Sequence, residues 1–260
     1  MRSRIFGAAG AAAVLAAGIS GANSSPLTVT ATGTNSATGQ ALAASATFAV
    51  SGTNLIVTLT NTSVADVLAP SDVLTALYFD ISGNPTLTAS SAVVAIGSSV
   101  FFGSTDPGSV VGGEWAYATG LSGTPDHQTR GISSSGIGGI FGSPDFPGSN
   151  LQGPAALDGL QYGITSAGDN TANGNSAVTG GNALIKNSVV FTLSGVNADF
   201  NPATLISNVA FQYGTSIAEP CIGTCSPPHL TTVVEPGSIG IFGAALLAFA
   251  TIRTRRQIGA

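Results

Sequence analysis

Several residues in this chain carry side chains that could do chemistry, and each suggests a different kind. Cys221 and Cys225, the only two cysteines, sit four apart in Cys-Ile-Gly-Thr-Cys. In an oxidising compartment that spacing suits a small local disulfide loop. A zinc site would want two more ligands, and only His229 is near. His127 follows Asp126, an acid–base pair in name, but no Gly-x-Ser-x-Gly nucleophile elbow accompanies it. Asp66, Asp72 and Asp80 could supply the paired carboxylates of a glycosidase, but nothing in the spacing fixes any two at a working separation, and turn and strand-end positions explain them better. Asp169-Asn170-Thr171-Ala172-Asn173-Gly174 begins like a calcium loop, but its twelfth position is Gly180 rather than Glu. Trp115 and Tyr117, with Phe101 and Phe102, could form an aromatic face for a sugar ring, and core packing is the competing use. None of these patterns makes an enzyme the expected reading, and none requires a cofactor or a metal.

These residues need a scaffold, and the sequence describes an all-β one. Leu27 to Thr32 alternates with period two, as does Ala46 to Val50. Leu55 to Thr60 follows after Ser51-Gly52-Thr53-Asn54, which reads as a hairpin with a four-residue loop. Val73 to Ile81 is apolar throughout, the pattern of a strand covered on both faces. Further strands are expected at Thr86–Thr88, 92–102, 112–118, 189–193 and 209–213, with one helical turn at Pro202–Ile206. Gly120 to Gly153 reads as a long loop or a loosely paired excursion, and Ala167 to Asn182 as a second polar loop. Many short strands with regular turn signals point to a single β-sandwich-like domain. Glycine fills 35 of 260 positions, about twice the usual ~7%.

Charge is distributed unevenly. Arg2 and Arg4 lie at the start, Arg253, Arg255 and Arg256 at the end, and only Arg130 and Lys186 between. All twelve acids fall between Asp66 and Glu235, so the chain without its two ends carries a net charge of about −10. Such a surface repels phosphate backbones and argues against nucleic acid as a partner.

Both ends look like addresses. Met1-Arg2-Ser3-Arg4, an apolar stretch from Ile5 to Ile19, and Ser20-Gly21-Ala22 have the form of a signal peptide, with cleavage expected after Ala22. At the other end Val234-Glu235-Pro236-Gly237-Ser238 precedes sixteen uncharged residues, Gly237 to Ile252, and then Arg253, Arg255 and Arg256. At ~1.5 Å per residue that run spans about 24 Å as a helix, somewhat short of the ~30 Å hydrocarbon core, and flanking arginines can reach the headgroups. The basic end fits a tail left in the cytoplasm. Gly240, Ala244 and Ala248 share one helical face that could pack on another membrane helix.

This three-part layout resembles the PEP-CTERM sorting signal of proteins processed by exosortases, with Val234 standing where the family usually has its first proline. The body resembles exosortase-dependent surface proteins of the XDD type in Val73 to Ile81, Gly112 to Tyr117 and Asn208 to Ser216. The resemblance implies an exported protein that meets signal peptidase and then an exosortase. Its C-terminal helix would hold it transiently in the inner membrane until cleavage near the motif sends it to the cell surface or extracellular matrix. The expected layout is a signal helix at 1–22, an all-β domain at 23–217, a Pro/Cys stalk at 218–233 and a sorting signal with a transmembrane helix at 234–260. Two roles are expected of the body: a structural or interaction role, or binding of extracellular polysaccharide, with calcium as an optional aid.

Overall fold

The structure, a computed structural model, describes residues 25–226 apart from 143–145, 156, 158 and 198. The signal segment with Ala22, the motif Val234 to Ser238, the apolar run, and Arg253, Arg255 and Arg256 lie outside the described residues. Among the described residues no helix is long and apolar enough to cross a membrane.

The described residues form thirteen strands: β1 (Leu27–Thr34), β2 (Ala41–Ser51), β3 (Asn54–Asn61), β4 (Leu74–Ile81), β5 (Thr88–Val94), β6 (Ser99–Phe101), β7 (Ala116–Thr119), β8 (Arg130–Ser133), β9 (Ile164–Thr165), β10 (Leu184–Lys186), β11 (Ser188–Ser194), β12 (Ile206–Tyr213) and β13 (Cys221–Gly223). The first sheet runs β1-β2-β3-β11-β5 and the second β13-β12-β4-β9-β10-β6, with β8 also on β4 and β7 on β8. The two sheets pack together as an all-β sandwich, the architecture their strand patterns call for.

Alternation explains the first sheet. In β3, Leu55, Val57 and Leu59 are fully buried, while Ile56, Thr58 and Thr60 lie on the outer face. Phe48 of β2 and Phe191 of β11 join them from neighbouring strands. The β2–β3 hairpin is tighter than expected. Ser51 pairs with Asn54, leaving a two-residue turn in which Gly52 adopts φ +62°. A glycine at the first central position is what a type II′ turn demands, and its twist suits the flanking strands.

The run from Leu74 to Ile81 forms a strand covered on both sides. Leu77, Phe79 and Ile81 enter the core between the sheets. Ala76 and Tyr78 point the other way, into a second apolar cluster with Ala116, Ile137, Phe141 and Ala210.

Three expectations are corrected. The stretch 120–153 is not merely a loop, because β8 lies inside it and is buried between β4 and β7. Its glycine serves close packing. A Cβ on Gly131 would fall 2.7 Å from Phe141 Cζ and 3.0 Å from Tyr78 Cδ1. The segment 112–118 is not one strand. Gly112–Glu114 forms a 3₁₀ turn, against which another stretch of backbone lies so closely that a Cβ on Gly112 or Gly113 would come within 1.9 Å of the Pro147 or Ser149 carbonyl oxygen. Finally, 218–226 is not stalk. Cys221–Gly223 pairs with β12, Ile222 is buried, and the domain extends to Ser226. Residues 227–233 lie outside the described part. The helical turn survives as α1 (Pro202–Leu205), where the Asn201 side chain accepts from the Ala203 N–H.

Candidate functional site

Trp115 and Tyr117 do share a face, but it is the inner one. Trp115 is wholly buried and meets Phe191 edge-on, with ring centroids 4.9 Å apart. Tyr117 is 5% exposed. No sugar-stacking platform can be built on Trp115, and the aromatic face expected there is withdrawn. Phe102 is exposed and touches Phe101, which is half-buried.

The carboxylates are committed to separate local tasks. Asp72 is buried and accepts from Asn35 Nδ2 at 2.6 Å, Thr38 Oγ1 at 2.7 Å, and the N–H groups of Leu68 and Ala69. It ties the β1–β2 turn to the approach of β4. Asp66 accepts from Asn173 Nδ2 at 2.6 Å and from the Asn170 N–H. Asp80 accepts from Thr129 through N–H and hydroxyl, and from Asn208 Nδ2 at 3.0 Å. Burial works to raise the Asp80 carboxyl, but these hydrogen bonds and the Arg130 charge prevail and hold it below the usual range. Each of the three carboxylates is thus held by its own set of donors.

In the calcium-like loop the first position, Asp169, is turned inward, while Asn170 and Asn173 are exposed. Asp169 accepts from the Val67 N–H at 2.9 Å, and Lys186 Nζ donates to the Asp169 carbonyl at 3.0 Å. Burial, aided by the Asp66 charge, pushes the Asp169 carboxyl up. Asn170 accepts from the Ala172 N–H in an Asx turn, and Asn173 serves Asp66. Among the described residues no three His, Cys, Asp or Glu side chains are grouped to hold a metal. His127 is exposed at φ +61°, and its neighbour Asp126 receives the Ser226 hydroxyl. That corner braces the end of the domain. Cys221 and Cys225 are joined as a disulfide at the edge of the second sheet.

What the structure does assemble is a cleft of about 520 Å³, lined by Leu87, Thr88, Ala89, Tyr117, Ala118 and Thr119. It lies where β5 of one sheet faces β7 of the other. Behind it sits Arg130, 2% exposed. Its Nη1 donates to the Tyr117 hydroxyl at 2.8 Å, and its Nη2 to Asn84 Oδ1 at 2.6 Å and to the Pro85 carbonyl at 2.9 Å. One guanidinium thus ties Tyr117, in the wall of the cleft, to the segment that leads from β4 towards β5. Burial pushes the Tyr117 phenol up, and the Arg130 charge draws it partly back. The phenol oxygen accepts from arginine, so its own proton is free to donate. This recess can bind a ligand through hydroxyls and peptide groups, and it offers no nucleophile paired with a base. Sequence reading missed Arg130. Its one signal was rarity, as one of two cations between the chain's ends.

Glu114 is the other charge that sequence reading left unexplained. It is 6% exposed, and one oxygen accepts from the N–H groups of Leu151 and Gln152. Burial raises its carboxyl, outweighing those two hydrogen bonds. A carboxyl raised on folding binds its proton more tightly in the folded chain. Its penalty is absent below the unfolded value of ~4.3, grows as pH rises through the folded value, and is complete above it. Glu114→Gln keeps an acceptor for both N–H groups and removes the charge. The variant is expected to melt higher than the wild type at pH 7, with the gap closing as pH falls to about 4. Melting curves across that range check this, and a variant less stable at pH 7 would contradict it.

Comparisons of the chain with protein-family models, with curated proteins and with solved structures find no match.

Proposed function

We propose that this chain is an exported protein of the cell surface or extracellular matrix with a structural or interaction role. It is held briefly in the inner membrane and released by an exosortase-type cut near Glu235-Pro236. The observation that carries the proposal is the order of motif, uncharged run and arginines from Val234 to Arg256. The Cys221–Cys225 disulfide supports it, because such bonds persist outside the reducing cytoplasm. A domain in which Asp66, Asp72, Asp80 and Arg130 are occupied in holding loops together suits a role in which the folded surface is the product.

Intact mass of the mature protein, from cells with and without the sorting enzyme, tests this reading. The expected species with the enzyme begins at Asn23 and lacks Arg253 to Ala260. A mature form that keeps those residues would overturn it. Polysaccharide binding stands as a second reading in narrower form, with the Tyr117-lined cleft replacing the Trp115 face.

A further inference from the structure

The outermost strand of the first sheet, β1, is unusual for an edge. It pairs with β2 on one side, and among the described residues no backbone hydrogen bond reaches its other side. Exposed edges invite pairing with other chains, and folded proteins normally blunt them with lysine, internal proline, a bulge or brevity. β1 has none of these devices. It is eight residues long, regular in register with β2 from Leu27↔Phe48 to Thr34↔Ala41, and uncharged. The opposite edge of the same sheet differs: β5 carries a register shift against β11, and Val93 is bridged by Val110.

Two further observations say what fits there. The inner face of β1 is unfinished. Leu27, Val29 and Ala31 pack against the core yet stay half-exposed, while Thr28, Thr30, Thr32 and Thr34 stand fully outside. At its far end Gly33 is covered by Ile222, close enough that a Cβ would lie 2.6 Å from that side chain. The charge map also singles out this edge. No charged residue occurs from Asn23 to Ala65, whereas the acids crowd the rest of the chain. Two copies of so anionic a protein repel over most of their surface and not here.

We infer that β1 pairs antiparallel with β1 of a second copy, joining two five-stranded sheets into one of ten strands. The strand is self-complementary about a two-fold axis through Thr30. That register sets Thr30 opposite Thr30, Thr28 opposite Thr32, Val29 opposite Ala31 and Leu27 opposite Gly33 of the second copy. Threonines meet threonines on the outer face, and apolar residues meet apolar residues or glycine on the inner one, as isologous pairing requires. An eight-residue edge buries less than the ~1,200 Å² of a standard interface, so the dimer dissociates on dilution. This inference stands on the fold alone and does not depend on how the chain is exported.

The test places single cysteines in the full chain, where the native pair is already joined and leaves no free thiol. Residues directly opposite in an antiparallel pair lie ~4.5–5.5 Å apart, within the ~4.4–6.8 Å that a disulfide spans. Thr30→Cys is expected to give a cross-linked dimer on mild oxidation. Thr192→Cys, on the outer face of β11 in the interior of the sheet, is expected to stay monomeric. Thr30→Lys sets two like charges face to face and should weaken the dimer at least ~10-fold in sedimentation equilibrium, with an unchanged circular dichroism spectrum. A wild type that stays monomeric at ~1 mM would overturn the inference. So would a cross-linked dimer from the Thr192→Cys variant and none from Thr30→Cys.

Discussion

Arg130→Met is expected to lower the melting temperature of the domain by about 10 °C. The guanidinium donates to a phenol, a side-chain amide and a peptide carbonyl, and it is 2% exposed. Hydrogen bonds to charged groups contribute ~1.5–3 kcal/mol each, and the three share one donor, so their loss is not additive. Part of the exposed acceptor surface rehydrates from the neighbouring cleft, which leaves a net cost of about 3–4 kcal/mol. In a domain of some two hundred residues, ~1 kcal/mol moves the midpoint by ~2–4 °C. Replacing a buried ion pair with apolar groups is often harmless, but Arg130 has no carboxylate in salt-bridge contact among the described residues, and its acceptors would be left behind. Arg130→Lys should recover less than half of the loss, because one ammonium cannot reach three acceptors that a planar fork addresses at once. Thermal melts of both variants decide the matter. A methionine variant within 2 °C of wild type, or full recovery by lysine, would show that the strut carries little of the stability.

The second large effect belongs to Trp115. Trp115→Ala is expected to destabilise the domain by about 3–5 kcal/mol, the usual cost of emptying a buried aromatic site. The side chain is wholly buried and stacks edge-on with Phe191, which also packs against Phe146 at 5.3 Å. Truncation therefore removes the ring that packs on Phe191 at the centre of the core. The variant is consequently a poor control for ligand binding, since lost binding would report lost packing. Wild-type fluorescence makes a cleaner test, because Trp115 is the only tryptophan in the chain. Its emission should be blue-shifted, resist quenching by iodide, and stay constant on adding polysaccharide. Iodide quenching comparable to that of the unfolded chain would place the indole at the surface and revive the aromatic face.

Much of the fold was legible because each strand carries its environment in its alternation. β3 shows a two-residue period and is covered on one face, whereas β4 is apolar throughout and covered on both. Glycine accounts for part of what stays hidden. In 120–153 it reads as a sign of loop, yet Gly131 is small because neighbouring side chains occupy the space of a Cβ, and Gly112 and Gly113, read as strand, give room to another stretch of backbone. Composition alone cannot separate glycine that bends from glycine that yields room, and so β8 was hidden inside a stretch that looked like loop. The Pro/Cys segment misled in a similar way. Pro220 suggested a spacer, but its carbonyl accepts from the Tyr213 N–H, and three residues of strand follow it. As for the candidate site, Trp115 and Tyr117 were correctly paired on a face, but nothing in a single sequence says which side of a sheet is wet. Arg130 and the cleft depend on contacts between residues more than forty positions apart, from Asn84 and Pro85 to Arg130, and such contacts leave no local pattern.

The scarcity of cations has a consequence for the protein's durability. Between Asn23 and Val234 a protease that cuts after lysine or arginine has two peptide bonds to choose from, and both begin at residues in hydrogen-bonded strands, Arg130 in β8 and Lys186 at the end of β10. A protease needs an extended, unpaired segment in its groove, so neither bond is presented until the sheet opens. Enzymes of trypsin-like specificity thus digest the domain only to the extent that its sheets open.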